Sequence, residues 1–371
     1  QTSLAQISGA TSLKKLGKSS LPTHYFCTMA LHNRVDKRVL KERIQKDETP
    51  RKTISFYRYV HIPNPEEYRD ELYRKLESLD CLGRIYLAKE GVNAQMSVPE
   101  NHWSSFNSIV VQDSYLKGVP FKIAVEDDGK SFYKLKIKVR EKIVADGLDD
   151  NTFNPWNTGN HLSAEEFNRA IDEGAIVVDM RNHYESEVGH FEGAILPDAD
   201  TFRDELKMVE TILDGKKKEK ILMYCTGGIR CEKASAYFKH LGYEDVNQLR
   251  GGIIEYAHQV QEKGLENKYR GKNFVFDERL GERISDEVIA ECHQCGKPCD
   301  GHTNCVNEDC HLLFIQCEEC AKMYEGCCSE ACQEIASLPI EKQKELRKKP
   351  KKERKRNVFR KGRFEAKART E

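Results

Sequence analysis

The 371-residue sequence has no apolar run approaching the ~18–20 residues that cross a bilayer, and no N-terminal apolar stretch leading to a small-residue cleavage site. A membrane span and a secretory signal are therefore not expected, and the chain is read as cytoplasmic. Net charge is missing too, because 60 Lys and Arg balance 60 Asp and Glu. The chain carries no Gly-rich dinucleotide fingerprint and no His/carboxylate triad of the kind that holds non-haem iron, so any redox chemistry lacks a visible electron donor. Cysteine is scarce over most of the length: only Cys27, Cys81, Cys225 and Cys231 lie outside residues 292–332. That scarcity excludes a chain-wide disulfide framework.

What is present is unevenly placed. Residues 341–371 carry a net charge of +10 and residues 1–50 one of +5, so residues 51–340 hold −15. Basic ends around an acidic middle suit an anionic polymer held by terminal arms, although a solvated tail accounts for the same charges. In the tail, Lys348, Lys349, Lys351, Lys352, Arg354, Lys355 and Arg356 are the expected phosphate contacts, with Phe359 and Phe364 interleaved as stacking groups. Ten of the 14 cysteines fall between Cys292 and Cys332. Cys292-x2-Cys295 and Cys317-x2-Cys320, 21 residues apart, have close to four-cysteine zinc-ribbon spacing. Cys299, Cys305, Cys310, Cys327, Cys328 and Cys332 offer a second possible site. Structural zinc is expected, with an iron–sulfur cluster or disulfides as alternatives and His293, His302 and His311 as substitute ligands.

The organisation reads as five segments. Residues 1–28 lack periodicity and form a flexible extension; Val35–Gln45 is a short helix candidate. Residues 29–150 form an α+β unit: strands at Thr53–Val60, Gly83–Ala88, Ala94–Val98, Val119–Val125 and Phe132–Val139, a further one near Lys142–Val144, and helices at Pro65–Leu79 and His102–Val111. Its β-α-β-β-α-β order is ferredoxin-like. Residues 151–270 alternate strand and helix. Ala175–Asp179 and Lys220–Tyr224 are apolar runs suited to parallel strands buried on both faces, Asp245–Leu249 is another strand, and helices cover Leu162–Glu173, Cys231–Leu241 and Ile253–Lys263. Ser163 and Glu166 have capping-box spacing. Residues 271–338 form a Cys-rich module, and 339–371 a basic, disordered tail.

Tyr224-Cys225-Thr226-Gly227-Gly228-Ile229-Arg230-Cys231 joins a buried strand to a helix. A cysteine there faces unpaired backbone N–H groups and the positive end of the helix dipole, which favour a thiolate. Gly227 and Gly228 let the loop curl into an anion-binding nest, and Arg230 adds positive charge. Cys225 is thus the candidate nucleophile, within a loop formed by Thr226, Gly227, Gly228, Ile229 and Arg230. Cys231 reads as structural, with a resolving or redox role as the alternative. Lys89-Glu90-Gly91-Val92-Asn93 reads first as simple turn chemistry, with a substrate-facing hairpin as the alternative.

Val178-Asp179-Met180-Arg181, Tyr184-Glu185, Gly189-His190-Phe191, Gly193-Ala194 and the Cys225 loop together resemble a rhodanese domain. Rhodanese cysteines carry sulfane sulfur as a persulfide. The related dual-specificity phosphatases separate their cysteine and arginine by five residues; Cys225 and Arg230 are separated by four. Under this resemblance Arg181, Glu185 and His190 hold the mouth of the cysteine pocket, and Asp179 anchors a strand end. More of the chain, from about Met29 to Cys332, resembles the bacterial tRNA uridine hydroxylases. The matching strings are Leu31-His32-Asn33-Arg34, Thr53-Ile54-Ser55-Phe56-Tyr57, Ala88-Lys89-Glu90-Gly91-Val92-Asn93-Ala94-Gln95, Asp127-Asp128-Gly129-Lys130-Ser131-Phe132, Met223–Ser235, 271–279 and Cys292-His293-Gln294-Cys295-Gly296. Met29 then corresponds to the usual start of family members. The resemblance implies conversion of the wobble uridine of tRNA to 5-hydroxyuridine with molecular oxygen as co-substrate. A sulfurtransferase working through a Cys225 persulfide is the alternative.

Overall fold

A computed structural model describes residues 35–347 and 358–360. Residues 1–28, Met29, the Leu31–Arg34 string and the seven basic tail residues from Lys348 to Arg356 lie outside the described residues, as does Phe364.

The first layer begins with α1 (Lys37–Lys46), followed by β1 (Arg51–Tyr59), α2 (Pro65–Glu77), β2 (Leu82–Ala88), β3 (Gly91–Pro99), α3 (Trp103–Gln112), β4 (Lys122–Ile123) and β5 (Leu135–Val139). The sheet order is β4-β1-β3-β2-β5. The first four are the ferredoxin-like arrangement; β5 adds a parallel edge beside β2. Side chains alternate strictly along the central strands. Ile54, Phe56, Ile85, Leu87, Ala94 and Met96 are buried, and α2 and α3 bring Tyr68, Leu72, Leu76, Phe106 and Val110 to the core. The intervening Ser55, Tyr57, Arg84, Tyr86, Asn93 and Gln95 are half-buried and belong to the opposite, polar face.

The second layer contains β6 (Asn160–Leu162), α4 (Ala164–Asp172), β7 (Ile176–Asp179), α5 (His183–Ser186), β8 (Gly189–Phe191), α6 (Phe202–Ile212), β9 (Lys220–Tyr224), α7 (Ile229–His240), β10 (Asp245–Leu249) and α8 (Gly252–Lys263). Strands β6-β10-β9-β7 pair in parallel. Along β9, Ile221 and Met223 join one apolar cluster with Leu206, Val209 and Phe238, whereas Leu222 and Tyr224 join another with Phe167, Ile253 and Tyr256. Burial on both faces explains why this strand lacks polar alternation. The Ser163/Glu166 capping box is formed.

The third part comprises β11 (Tyr269–Asn273), β12 (Glu282–Arg283), β13 (His302–Asn304), β14 (Leu313–Ile315), α9 (Glu318–Met323), α10 (Glu330–Ser337) and α11 (Ile340–Arg347). Strand β11 pairs with β8, so the chain returns to the second layer before entering the Cys-rich segment.

Four expectations need correction. Val119–Val125 shrinks to two strand residues; Pro120 has no N–H to give a ladder. Lys142–Val144 is not a strand, because its groups bond to side chains instead: Ile143 N–H to Glu90 at 2.7 Å, Lys142 Nζ to Asp146 at 2.8 Å. Helix α6, amphipathic and capped by Thr201, was not anticipated. The tail from 339 is not wholly unstructured. Residues 340–347 are α11, and residues 358–360 dock: Val358 bridges to Leu313, Phe359 stacks on His293 with ring centroids 3.8 Å apart, and Arg360 pairs with Asp200 at 2.8 Å. Phe359 is therefore engaged within the protein and is not a free stacking platform.

Candidate active site

Cys225 follows the last residue of β9, and Thr226-Gly227-Gly228 turns the chain into α7. Gly228 stands at φ +96°, where a side chain is strained, and an added Cβ would lie 2.9 Å from Tyr57 Oη. The turn brings the Gly228 N–H to the sulfur, N···S 3.1 Å. Burial pushes the Cys225 thiol up. The Cys231 thiol as donor, the Arg230 charge and the N–H groups of Cys231 and Arg230 outweigh it and bring the pKa to about 5. Cys225 is thus a thiolate at neutral pH. Burial and that neighbouring thiolate hold Cys231 well above the ordinary thiol range, which keeps it a hydrogen-bond donor. Sequence reasoning gave Cys231 a structural role, with a resolving or redox one as the alternative, and did not foresee it as a donor to the Cys225 sulfur.

Arg230 is forked onto Glu185, with N···O distances of 2.6 and 2.8 Å. Glu185 also accepts from the Asn182 backbone and side chain at 3.1 and 2.9 Å. Burial would raise this acid, yet Arg230 holds it below its usual range, so the pair is ionised. Arg181 and Asp179 form a second buried fork at 2.8 and 2.7 Å; Arg181 donates to Gly189 O at 2.6 Å and Tyr224 Oη to Asp179 at 2.8 Å. They tie the ends of β7, β8 and β9 together and do not line the pocket. His190 bonds through Nδ1 to Ser186 O at 2.8 Å and does not line it either. Of the residues expected at the mouth, Glu185 alone touches the Cys225 loop, through Arg230 and, at 3.5 Å, Thr226 Oγ1.

The loop opens on a cavity of about 490 Å³. Cys225, Thr226, Gly227, Ile229 and Arg230 line one wall; the other is the polar face of the first sheet, with Ser55, Tyr57, Arg84, Tyr86, Asn93 and Gln95. Register makes this face: Tyr57 and Tyr86 both pair with Asn93, and Ser55 and Arg84 both pair with Gln95. Gln95 Nε2 donates to Asn93 Oδ1 at 2.9 Å. Tyr57 Oη donates to Glu232 at 2.8 Å, and His161 Nε2 lies 3.0 Å from the same carboxylate. Lys122 of β4 also lines the cavity. Asn93 apart, which the substrate-facing alternative for Lys89–Asn93 included, none of these wall residues was singled out from the sequence, although the polar set alternating with the apolar one in three strands was its available signal. Glu90, expected in a simple turn, pairs with Lys233 of α7 at 2.8 Å, and Asn93 beyond it faces the cavity.

Comparison with known proteins matches this layout. The UPF0176 acylphosphatase-like domain family covers residues 51–143, the rhodanese-like domain family 163–259 and the Rhodanase C-terminal family 270–333. The tRNA uridine(34) hydroxylase of Leptospira interrogans is 59% identical over 319 residues, 86% of this chain and 87% of that protein. Those of Enterobacter sp. and Pectobacterium carotovorum are 56% and 55% identical over 85% of this chain, covering 91% and 90% of those proteins. The chain belongs to the tRNA uridine(34) hydroxylase family. In this family member the C-terminal cysteines form two quartets, each with its four sulfurs within 4.8 Å of one another. One is Cys292, Cys295, Cys317 and Cys320, as the spacing predicts. The other is Cys305, Cys310, Cys328 and Cys332. Cys299 and Cys327 stand outside it, a correction to the six-residue set: Cys299 accepts the Gly301 N–H at 3.4 Å, and Cys327 is buried. Contacts of 3.6 Å (Cys295–Cys317) and 3.7 Å (Cys310–Cys328, Cys328–Cys332) are too long for disulfides. No helix among the described residues is long and apolar enough to cross a membrane.

Proposed function

We propose that this protein hydroxylates C5 of the wobble uridine of tRNA, with molecular oxygen as co-substrate and Cys225 as the active-site thiolate. The observation that carries the reading is the shared cavity: a thiolate-holding loop faces a sheet surface of amides, hydroxyls and aromatic rings across a space within the range of small-ligand pockets. A wobble base lies in a single-stranded loop, so it can be splayed out and stacked on rings such as Tyr57 and Tyr86 while amides such as Gln95 meet its polar edge.

The C5 carbon of uracil is not acidic. Addition of the Cys225 thiolate to C6 makes it nucleophilic, because the C5–C6 π pair is displaced toward C5 and O4. Oxygen then places one atom on C5, and reduction of the other to water takes two electrons and two protons from an external donor; loss of the C5 hydrogen as a proton with expulsion of the Cys225 thiolate from C6 gives 5-hydroxyuridine. The Arg230–Glu185 fork holds the loop rigid and keeps the sulfur charged. The rival sulfurtransferase reading uses the same nest to hold a Cys225 persulfide. Nucleoside mass spectrometry of tRNA from cells with and without this protein separates the two: loss of 5-hydroxyuridine supports hydroxylation, and loss of a thiolated nucleoside with 5-hydroxyuridine retained overturns it.

Each cysteine quartet fits a single zinc ion. Tetrahedral Zn–S bonds of ~2.3 Å imply S···S separations of about 3.8 Å, close to the observed contacts, whereas a multi-iron cluster needs a wider cage. A thiolate-only site has no open position, so zinc here would hold the fold. For tRNA, the tail residues Lys348, Lys349, Lys351, Lys352, Arg354, Lys355 and Arg356 supply the phosphate-binding charge in this reading.

A further inference from the structure

Four cations line the Cys225 cavity: Arg84, Lys122, Arg230 and Arg279. Arg230 is forked onto Glu185, Arg279 onto Asp277, and Arg84 donates to Phe276 O. Lys122 differs. Its residue is 6% exposed, yet among the described residues no hydrogen bond or ion pair holds its ammonium, which sits over the Tyr57 ring, 4.5 Å from the centroid. A ring face offsets only part of the cost of burying a charge. The remaining support is the field of Cys225, Glu255 and Glu232, which works against the lowering of its pKa by burial.

The position of Lys122 is built by the fold. The Ser55↔Lys122 pairing sets it on the polar face, beside Tyr57. Its stem runs past both glycine turns: Cδ lies 3.7 Å from where a Cβ on Gly227 would stand, and Cε 3.7 Å from one on Gly251. A cation is therefore carried across the loop of the thiolate, on the cavity side, with its donors uncommitted.

We propose that Lys122 binds O4 of the uracil and stabilises the enolate oxygen formed when Cys225 adds to C6. This rests on the hydroxylase reading above. The sulfur lone pair forms the S–C6 bond, the C5=C6 pair becomes a C4=C5 bond, and the C4=O4 pair moves onto O4, where the ammonium meets the charge. The step needs no oxidant. Without oxygen, C5 takes a proton from water, then gives up its original hydrogen as a proton, and expulsion of the thiolate restores the base. The net result is exchange of the C5 hydrogen with solvent.

The test is release of tritium from tRNA labelled at C5 of the wobble uridine, measured anaerobically with the full chain as wild type, Lys122→Met, Lys122→Arg and Cys225→Ser. Lys122→Met keeps the apolar stem and is expected to slow release by about 100-fold, the scale for losing one oxyanion donor. The iodoacetamide reactivity of Cys225 should stay at its wild-type value, and Lys122→Arg should restore part of the rate. Wild-type release by Lys122→Met overturns the inference. So does loss of Cys225 alkylation in that variant, which would assign Lys122 to holding the loop, and so does absence of release from a wild-type protein that hydroxylates. Hydroxylation by Cys225→Ser would instead overturn the underlying reading.

Discussion

At the scale of single residues, the proposed chemistry turns on keeping one sulfur charged while its neighbour stays protonated. Cys225 and Cys231 sit in the same apolar cluster, and only the first meets the N–H groups of the turn. With its thiol pulled down to about 5, Cys225 is deprotonated above that pH and loses its charge as pH falls through it. Alkylation at Cys225, followed by peptide mapping, should be flat from about pH 8 to 6 and fall to half near pH 5. Cys81, which burial pushes up to about 12, should stay inert over that range. Glu185→Ala strands the Arg230 guanidinium and should cost about 3–5 kcal/mol in urea denaturation. The sequence made Cys225, Gly228 and Arg230 legible because a strand, a glycine pair and a helix start are local signals. Lys122, Tyr57 and Gln95 were not legible as site residues, since 103 positions separate Lys122 from Cys225 and only strand register unites them.

Among the elements, two glycine turns interlock beneath the site. Gly252, at φ +69° and the start of α8, would bring a Cβ to 2.5 Å from Cys225 O, and the next N–H groups, of Ile253 and Ile254, bond to Cys225 O and Thr226 O at 3.1 and 3.2 Å. Gly252→Ala should therefore destabilise by roughly 1–3 kcal/mol and shift the Cys225 alkylation midpoint upward as the nest is distorted; a melt and the same alkylation profile read both. Strands β1, β3, β9 and β10 were readable because alternation or unbroken apolar character marks them. Strand β11, with Gly271, Lys272 and Asn273, has neither signal and exists because β8 offers a partner. Helix α5, four residues long, is held by Glu185, which accepts from the Asn182 backbone and side chain, and was too short for periodicity to reveal.

Across the whole molecule, one buried cation fastens the first sheet to the second. Lys233 of α7 lies 2.8 Å from Glu90, 2.9 Å from Asp150 and 3.9 Å from Asp146. Lys233→Met leaves Glu90 without its cation, while Asp146 and Asp150 keep Lys142 at 2.8 and 3.0 Å, and should cost about 3–5 kcal/mol, with the loss of activity following the loss of fold. The C-terminal quartets predict metal content residue by residue. Purified protein should hold two zinc ions; Cys320→Ser and Cys328→Ser should each lose one, and Cys299→Ser and Cys327→Ser neither. Overall charge balance said little about function, because the cavity, Lys122 and the Cys225 thiolate apart, is built from uncharged and locally bonded groups and the excess basic charge lies at the ends. The most direct measurement is nucleoside mass spectrometry of tRNA from cells whose only copy of the protein carries Cys225→Ser. The account predicts no 5-hydroxyuridine at the wobble position, and 5-hydroxyuridine at the wild-type level would contradict it.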